Sequence, residues 1–439
     1  MATKLLRIAE KARKEPGFKF TSLYHLMNEE LLRECFKQLR KDAAAGIDDV
    51  TKEEYAADLD SNLSNLIDRL HRMAYKPQPV RRAYIPKPGS IKQRPLGIPC
   101  LEDKLVQAGL VRILEAVYEQ DFITDSYGFR PARSCHEALR ALSDSVEGKP
   151  VNHIVEVDIK GFFDNVNQEW LMKFLEHRIG DKRIQRMVKR FLKAGVYEDG
   201  SITVSDEGTP QGGVISPLLA NIYLHYALDL WFEKVIRPRC IGFARMMRYT
   251  DDFVVCFQYE LDAVKFRREL GSRLGKFGLE VEPTKTRVVK FGRFAVQNAK
   301  AKGERPETFD FLGLTHYCGT RRDGKGFRMK RKTARKKFTA KVKAQGMAEE
   351  SQNNEDSGTL GNSQSQAERP LRLLWRNGQP ARHQEIRRRS RKAPDEMAKQ
   401  ARQEELSHMG EVPRDAEAFS VTGTTDQGQD VPDYREMIM

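Results

Sequence analysis

Apolar positions at helical spacing dominate the first 75 residues. Leu31, Leu32, Cys35, Phe36 and Leu39 form one stripe, and Leu59, Leu63, Leu66, Ile67 and Leu70 form another. Between them Ala45-Gly46-Ile47-Asp48 reads as a turn, and Pro77 and Pro79 end the helical region. An extended basic stretch follows, Arg81 to Gly89, closed by a Pro-Gly turn signal. Residues 101–120 predict an amphipathic helix. Val151 to Ile159 alternates and is rich in β-branched residues, which predicts a strand. Ser216-Pro217, ahead of an apolar run to Trp231, predicts a helix start, with serine capping and proline in the first turn. Phe243 to Phe257 predicts two short strands around a turn at Thr250-Asp251-Asp252. A further strand is expected near Arg287 to Phe291, and a hairpin over 308–329. This order predicts an α+β domain with a mostly antiparallel sheet of the split βαβ type.

After Ala344 the pattern stops. Apolar periodicity fades, and Ser, Gln, Asn, Gly and Glu cluster, a composition that predicts a disordered tail. Charge divides at the same place. The chain carries a formal net charge of +14, but residues 345–439 hold 13 Lys+Arg against 17 Asp+Glu, leaving 63 against 45 in residues 1–344. The basic excess belongs to the first three quarters and favours a polyanionic partner, with nucleic acid the default. The six cysteines, Cys35, Cys100, Cys135, Cys240, Cys256 and Cys318, are scattered without a C-x-x-C pair. That predicts reduced thiols in an intracellular protein and no zinc site. No apolar run reaches a membrane span, and the N-terminus leads into no secretory segment.

Three carboxylates carry the candidate chemistry. Asp158 ends the strand Ile154-Val155-Glu156-Val157-Asp158, and Asp251 and Asp252 occupy the turn of the later hairpin. Pairing of these strands in one sheet would bring the groups together. Nucleotidyl transfer uses two Mg²⁺ ions roughly 3.5–4 Å apart, and Mg²⁺ prefers carboxylates, waters and phosphates to His or Cys. An Asp-Asp pair alone is common in turns; its context gives it weight.

That context resembles one family. Arg248-Tyr249-Thr250-Asp251-Asp252-Phe253-Val254 looks like the Y-x-D-D box of reverse transcriptases, and Val157-Asp158-Ile159-Lys160-Gly161-Phe162-Phe163-Asp164 resembles the box of their first aspartate. Gly208-Thr209-Pro210-Gln211-Gly212-Gly213 with Ser216-Pro217 resembles the P-Q-G segment between them. Ile85-Pro86-Lys87 and Arg94-Pro95-Leu96-Gly97-Ile98-Pro99 resemble the fingers. Ser126-Tyr127-Gly128-Phe129-Arg130-Pro131, Glu282-Pro283-Thr284-Lys285-Thr286, Phe311-Leu312-Gly313 and Ala45-Gly46-Ile47-Asp48 complete a set similar to group II intron-encoded reverse transcriptases with maturase activity. The resemblance runs, in the family's order, from about residue 20 to 344.

The resemblance implies a right-hand polymerase: an N-terminal helical extension over 1–75, fingers over 76–150, palm with fingers segments over 151–325, and the start of a helical thumb and maturase region over 326–344. It implies cDNA synthesis on intron RNA for retrohoming, with a splicing role. Asp158, Asp251 and Asp252, with the Ile159 carbonyl, would hold two Mg²⁺ ions. Lys87 and Arg94 would hold the incoming triphosphate. Phe163 would fill the space of a ribose 2′-hydroxyl and so select deoxynucleotides. Gln211 would line the nucleotide pocket, Lys285 would place charge near the leaving pyrophosphate, Tyr249 would support the primer end, and Asp164 would be structural. The implied partners are intron RNA, a DNA target or primer and deoxynucleoside triphosphates, with no membrane, in a bacterial cytoplasm; a homodimer is left open. Two departures stand out. Thr250 replaces the usual Ala, and no His/Cys cluster of an appended endonuclease follows. A retron or diversity-generating lineage, or an RNA-binding splicing cofactor without polymerase activity, would share part of this pattern.

The tail reads as a shifted frame. Met followed by Ala or Gly is ATG-G at the codon level, so a frame one base downstream has Trp at Met347-Ala348, Met397-Ala398 and Met409-Gly410, and Trp375-Arg376 gives Gly. With permitted bases at degenerate positions, Met397 to Ala401 can read Trp-Leu-Asn-Arg-Arg, and 415–431 can read through Pro-Leu-Pro-Gly-Pro-Arg-Ile. Both strings resemble the family's maturase domain. We therefore expect residues 345–439 to be out of frame and largely disordered, and activity of the chain as written to be weak or absent.

Overall fold

The computed structural model describes residues 1–86, 93–204, 207–209, 212–324 and 326–335. Lys87, Gln211 and the expected aberrant tail from 345 lie outside the described residues, as does the expected thumb segment after residue 335. In chain order the helices are α1 (Ala2–Lys14), α2 (Glu29–Gln38), α3 (Lys52–Ala57), α4 (Leu59–His71), α5 (Leu101–Tyr118), α6 (Cys135–Gly148), α7 (Gln168–Arg178), α8 (Lys182–Leu192), α9 (Ser216–Leu224), α10 (Arg237–Arg239), α11 (Glu260–Gly275) and α12 (Ala295–Ala301). The strands are β1 (Val80–Pro86), β2 (Gln93–Ile98), β3 (His153–Asp158), β4 (Val196–Glu198), β5 (Ser201–Thr203), β6 (Ala244–Tyr249), β7 (Asp252–Phe257), β8 (Arg287–Lys290), β9 (Thr308–Phe311), β10 (Leu314–Thr320) and β11 (Phe327–Thr333).

The strands form three sheets. β6-β7-β3-β8 is fully antiparallel and makes the palm. β2-β1-β4-β5 makes the fingers, where β1 pairs with β4 in parallel across more than a hundred residues of chain. β9-β10-β11 is an antiparallel meander beside the palm. The expected hairpin over 308–329 is thus three strands ending at Thr333. The first residues of the expected thumb segment from 326 instead form β11, whose register with β10 holds from Phe327 to Thr333.

Alternation along the palm strands builds two cores. Val155, Val157, Phe253, Val255 and Phe257 face a large core shared with α2, α4, α5, α7, α8 and α9. Ile154, Val254 and Cys256 face a smaller one made with Leu139 and Leu142 of α6, and with Phe291, Phe309 and Met329. Capping is local where the sequence supplies it. Asn28, Thr51, Ser134, Asn167 and Asp181 each accept a backbone N–H from the first turn of the helix they precede. α9 runs on through two π-turns, His225–Asp229 and Phe232–Ile236, into α10. π-Turns displace side chains from regular helical positions, and they are common at functional sites. All six cysteines are unpaired thiols. Among the described residues no helix is long and apolar enough to cross a membrane.

Candidate active site

The site grows from the β3–β7 register. Asp158 and Asp252 are direct cross-strand partners at the end of the palm sheet. Alternation puts them on one face, and partners of this kind bring their Cβ atoms to about 5 Å. Asp251 sits one residue earlier, in the two-residue turn joining β6 to β7, where Tyr249 pairs with Asp252. The three aspartates expected from the sequence therefore come together at one sheet edge.

The turn is strained and supported from below. Thr250 has φ +60°, the left-handed region that a β-branched residue rarely adopts. It is buried, and its hydroxyl has no hydrogen-bond partner. Gly128 lies against it so closely that a Cβ there would meet the Thr250 nitrogen at 2.5 Å and its hydroxyl at 2.4 Å. Beneath the turn Arg248 is fully buried and spends its donors completely. Nε and Nη2 reach the two carboxylate oxygens of Asp229 at 2.7 and 2.6 Å, and Nη1 reaches the Asn221 side chain and the Thr250 carbonyl at 3.0 Å each. Nη2 also donates to the Ser126 hydroxyl at 2.8 Å. Asn221 in turn donates to the Gly128 carbonyl at 2.7 Å. Asp229 comes from the first π-turn, so the irregular helix, the 126–130 loop and the β6–β7 hairpin are tied at one buried cation. Arg248 lies inside a recognisable box, but nothing in the sequence marked Asp229 or Asn221 as its partners.

Electrostatics fit a cation site. Burial, with Asp251, Asp158 and Glu156 adding to it and the Leu312 N–H opposing, pushes the Asp252 carboxyl up to about 7. Burial likewise raises Asp251, with Asp158 adding to it while Arg94 and Arg248 pull it down. Carboxyls held this way gain from a divalent ion that takes the place of a proton. Asp158 is ion-paired with Lys285, whose own pKa this hydrogen bond raises. Asp252 accepts the Leu312 N–H at 3.1 Å. That bond explains the Phe311-Leu312-Gly313 motif: Leu312 and Gly313 both have positive φ, making a tight β9–β10 turn whose N–H points at the aspartate. Among the described residues no three His, Cys, Asp or Glu side chains enclose an ion by themselves. Mg²⁺ commonly binds through one or two carboxylates plus substrate phosphates, so the donor set fits that ion in the presence of a triphosphate.

The remaining expected residues divide. Arg94 lies on β2 opposite Ile85 and is close enough to depress Asp251. Phe163 is half-buried, its ring 5.3 Å from Phe162, and its carbonyl accepts the Thr209 N–H at 2.8 Å. Gly208, at φ +80°, packs on the carbonyls of Phe163 and Asp164. Gly212, at φ +108°, leaves no room for a Cβ, which would lie 2.4 Å from the Gly97 carbonyl. The glycines of the P-Q-G region thus let it press on the palm at one point and on the fingers at the other. Ile159 continues β3 through a bridge to Val281. Lys87 and Gln211, as stated, lie outside the described residues.

A fingers-and-palm chain with an aspartate pair on a hairpin turn, facing a third aspartate on the adjacent strand, is the polymerase class of fold and site. The sequence profile of the reverse transcriptase (RNA-dependent DNA polymerase) family matches residues 85–316, and the chain belongs to that family. It is 40% identical over 225 residues to the group II intron-encoded protein LtrA of Lactococcus lactis subsp. cremoris, covering 50% of this chain and 37% of LtrA. It is 34% identical over 317 residues to protein YkfC of Escherichia coli (strain K12), covering 64% of this chain and 83% of YkfC. A 91 kDa protein in the cob intron of Schizosaccharomyces pombe is 40% identical over 173 residues, 39% of this chain and 21% of that protein. The chain spans little more than a third of LtrA.

Proposed function

We propose that the chain is an RNA-directed DNA polymerase of a group II intron, making cDNA on intron RNA, with an associated splicing role. The observation that carries this is the register placing Asp158 opposite Asp252, with Asp251 on the adjoining turn. A bound Mg²⁺ pair supplies Lewis acidity at the primer 3′-hydroxyl and at the triphosphate. Asp158, Asp251, Asp252 and the Ile159 carbonyl are its proposed ligands. Lys285, paired with Asp158, would place positive charge near the leaving pyrophosphate. Arg94 and Lys87 hold the triphosphate, Gln211 lines the nucleotide pocket, Phe163 excludes the 2′-hydroxyl, and Tyr249 supports the primer end. The proposed partners are intron RNA, a DNA primer or target and deoxynucleoside triphosphates; the proposed division is extension 1–75, fingers 76–150 and palm 151–325, in a bacterial cytoplasm. The test is extension of a DNA primer on an RNA template by the purified chain with Mg²⁺. Loss of extension in Asp251→Asn and Asp158→Asn, with binding kept, supports the reading; extension that survives both substitutions overturns it.

A second reading is favoured by the forced Trp positions after residue 344: the chain as written is an impaired descendant lacking most of its thumb and maturase domain. Splicing cofactor activity without polymerisation is a third outcome of the same assay, seen as RNA binding without extension.

A further inference from the structure

Phe129 combines two properties that rarely occur together. Its side chain is 57% exposed, and its backbone has φ +53°, outside the regions that non-glycine residues favour. A strained residue persists only where its surroundings fix it, and both flanks of Phe129 are fixed. On one side the Tyr127 N–H donates to the Arg248 carbonyl at 2.9 Å, and the Gly128 carbonyl accepts from Asn221. On the other, Arg130 donates to the Ile123 and Ser126 carbonyls at 2.7 Å each and pairs with Glu119. The result is a large aromatic ring held in solvent beside the catalytic turn. Its centroid lies 6.4 Å from that of Tyr249, with the planes tilted by 44°. Gly128, immediately before it, touches Thr250, immediately before Asp251.

Folding alone gives no reason to expose a ring there at the cost of backbone strain. We infer that Phe129 and Tyr249 form one aromatic platform on which the 3′-terminal nucleotide of the primer rests, so that Phe129 is a primer-binding residue. The inference rests on the polymerase reading. The primer end is the aromatic-faced component of the reaction that must lie against the Asp251–Asp252 turn, and stacking on a ring accepts any base, as a template-directed enzyme requires.

The test compares wild type with Phe129→Gly, Phe129→Tyr and Phe129→Trp in the full chain. The probe is an RNA template with a DNA primer carrying 2-aminopurine at its 3′ end. Phe129→Gly should weaken template–primer binding by roughly fivefold to a hundredfold, the range for loss of one base–aromatic stack. It should also abolish the quenching change of the 2-aminopurine and leave KM for the nucleotide unchanged. Its melting temperature should equal or exceed that of wild type, because glycine accepts positive φ without strain. Tyr and Trp should restore binding and quenching. A Phe129→Gly chain that binds the primer like wild type overturns the proposal and leaves the polymerase reading standing. Failure to bind or extend the primer both in the chain as written and in the chain expressed from the frame one base downstream after residue 344 overturns both.

Discussion

Arg248 and Asp229 form a bidentate ion pair in which neither side chain has any exposure, directly beneath the Thr250–Asp251 turn. A buried pair of this kind adds little net stability over an apolar replacement, yet breaking it is costly because one charge is left uncompensated. Its value here lies in what else the guanidinium holds: the Thr250 carbonyl, Asn221 and Ser126. Arg248→Lys keeps the charge but loses the planar fork. We expect it to cost roughly 1–3 kcal/mol of stability, readable by denaturant unfolding. It should also lower kcat at least tenfold and raise the Mg²⁺ concentration for half-maximal rate, with KM for template–primer little changed. If rate fell only in proportion to the folded fraction, the pair would be structural and not positional.

Thr250 offers a test with the opposite sign. Its hydroxyl is buried and unpartnered, and burying such a group costs about 1–3 kcal/mol on mutational scales. Thr250→Ala removes the hydroxyl and keeps the turn. A gain of about 1 kcal/mol is expected, with extension activity equal to wild type or higher. The sequence showed only Thr where the family usually has Ala; the structure adds that its hydroxyl is buried without a partner, against Gly128. Loss of stability in Thr250→Ala would mean that the hydroxyl has a partner the geometry does not show.

The Asp252 carboxyl, raised to about 7 by burial and its neighbours, sets a pH window. An unfolded Asp releases its proton near pH ~4. Between those limits the folded chain binds more protons than the unfolded one, so metal-free stability falls as pH rises through the window and levels off above about 7. Mg²⁺ must displace that proton. Apparent Mg²⁺ affinity should therefore rise by up to about tenfold per pH unit toward 7 and then level off. The increase in melting temperature produced by Mg²⁺ should accordingly be larger at pH 8 than at pH 6. Asp252→Asn should erase both trends; an Mg²⁺ response flat across this range in wild type would refute the assignment.

These predictions draw unequally on sequence and structure. The palm strands were legible because β3 is rich in β-branched residues and β7 is a short, continuous apolar run, and their aspartates are register partners. The helices whose apolar stripes were plain, α2, α4 and α5, appear where expected. The parallel β1–β4 pairing was not legible, since nothing local in Val80 or Val196 specifies a partner so far along the chain. Nor was the buried network: Arg248, Asp229 and Asn221 meet only because α9 and its π-turns pack under the hairpin. Leu312 is intermediate. Its motif was visible, but the N–H it gives to Asp252 required the backbone.

Phe163 tests the sugar-selection proposal. Its ring is half-buried against Phe162, and its carbonyl anchors Thr209 of the P-Q-G segment. Phe163→Val shortens the side chain and leaves that backbone bond in place. Ribonucleotide incorporation should rise at least tenfold relative to deoxynucleotide, through KM and kcat for the ribonucleotide. Stability should fall by about 1–2 kcal/mol, as expected for trimming a partly buried aromatic. Unchanged sugar selectivity would make Phe163 a packing residue only.

The reading frame supplies the last prediction. Residues 345–439 carry more acidic than basic groups, whereas a segment that grips a template–primer duplex works through phosphate contacts and needs Lys and Arg. In the frame one base downstream, Met397 to Ala401 can read Trp-Leu-Asn-Arg-Arg, and the Trp codon follows from Met397-Ala398 without any choice of base. Sequencing the source DNA across codons 335–350 should reveal one base inserted, or two lost, near codon 345. A chain expressed from the corrected frame should bind template–primer at least tenfold more tightly than the chain as written. Its binding should also weaken more steeply with salt, by about one unit of log–log slope for each added phosphate contact. Equal affinity and equal salt slope in the two chains would show that the segment after Ala344 contributes no grip in either frame, and the impaired-descendant reading would fall.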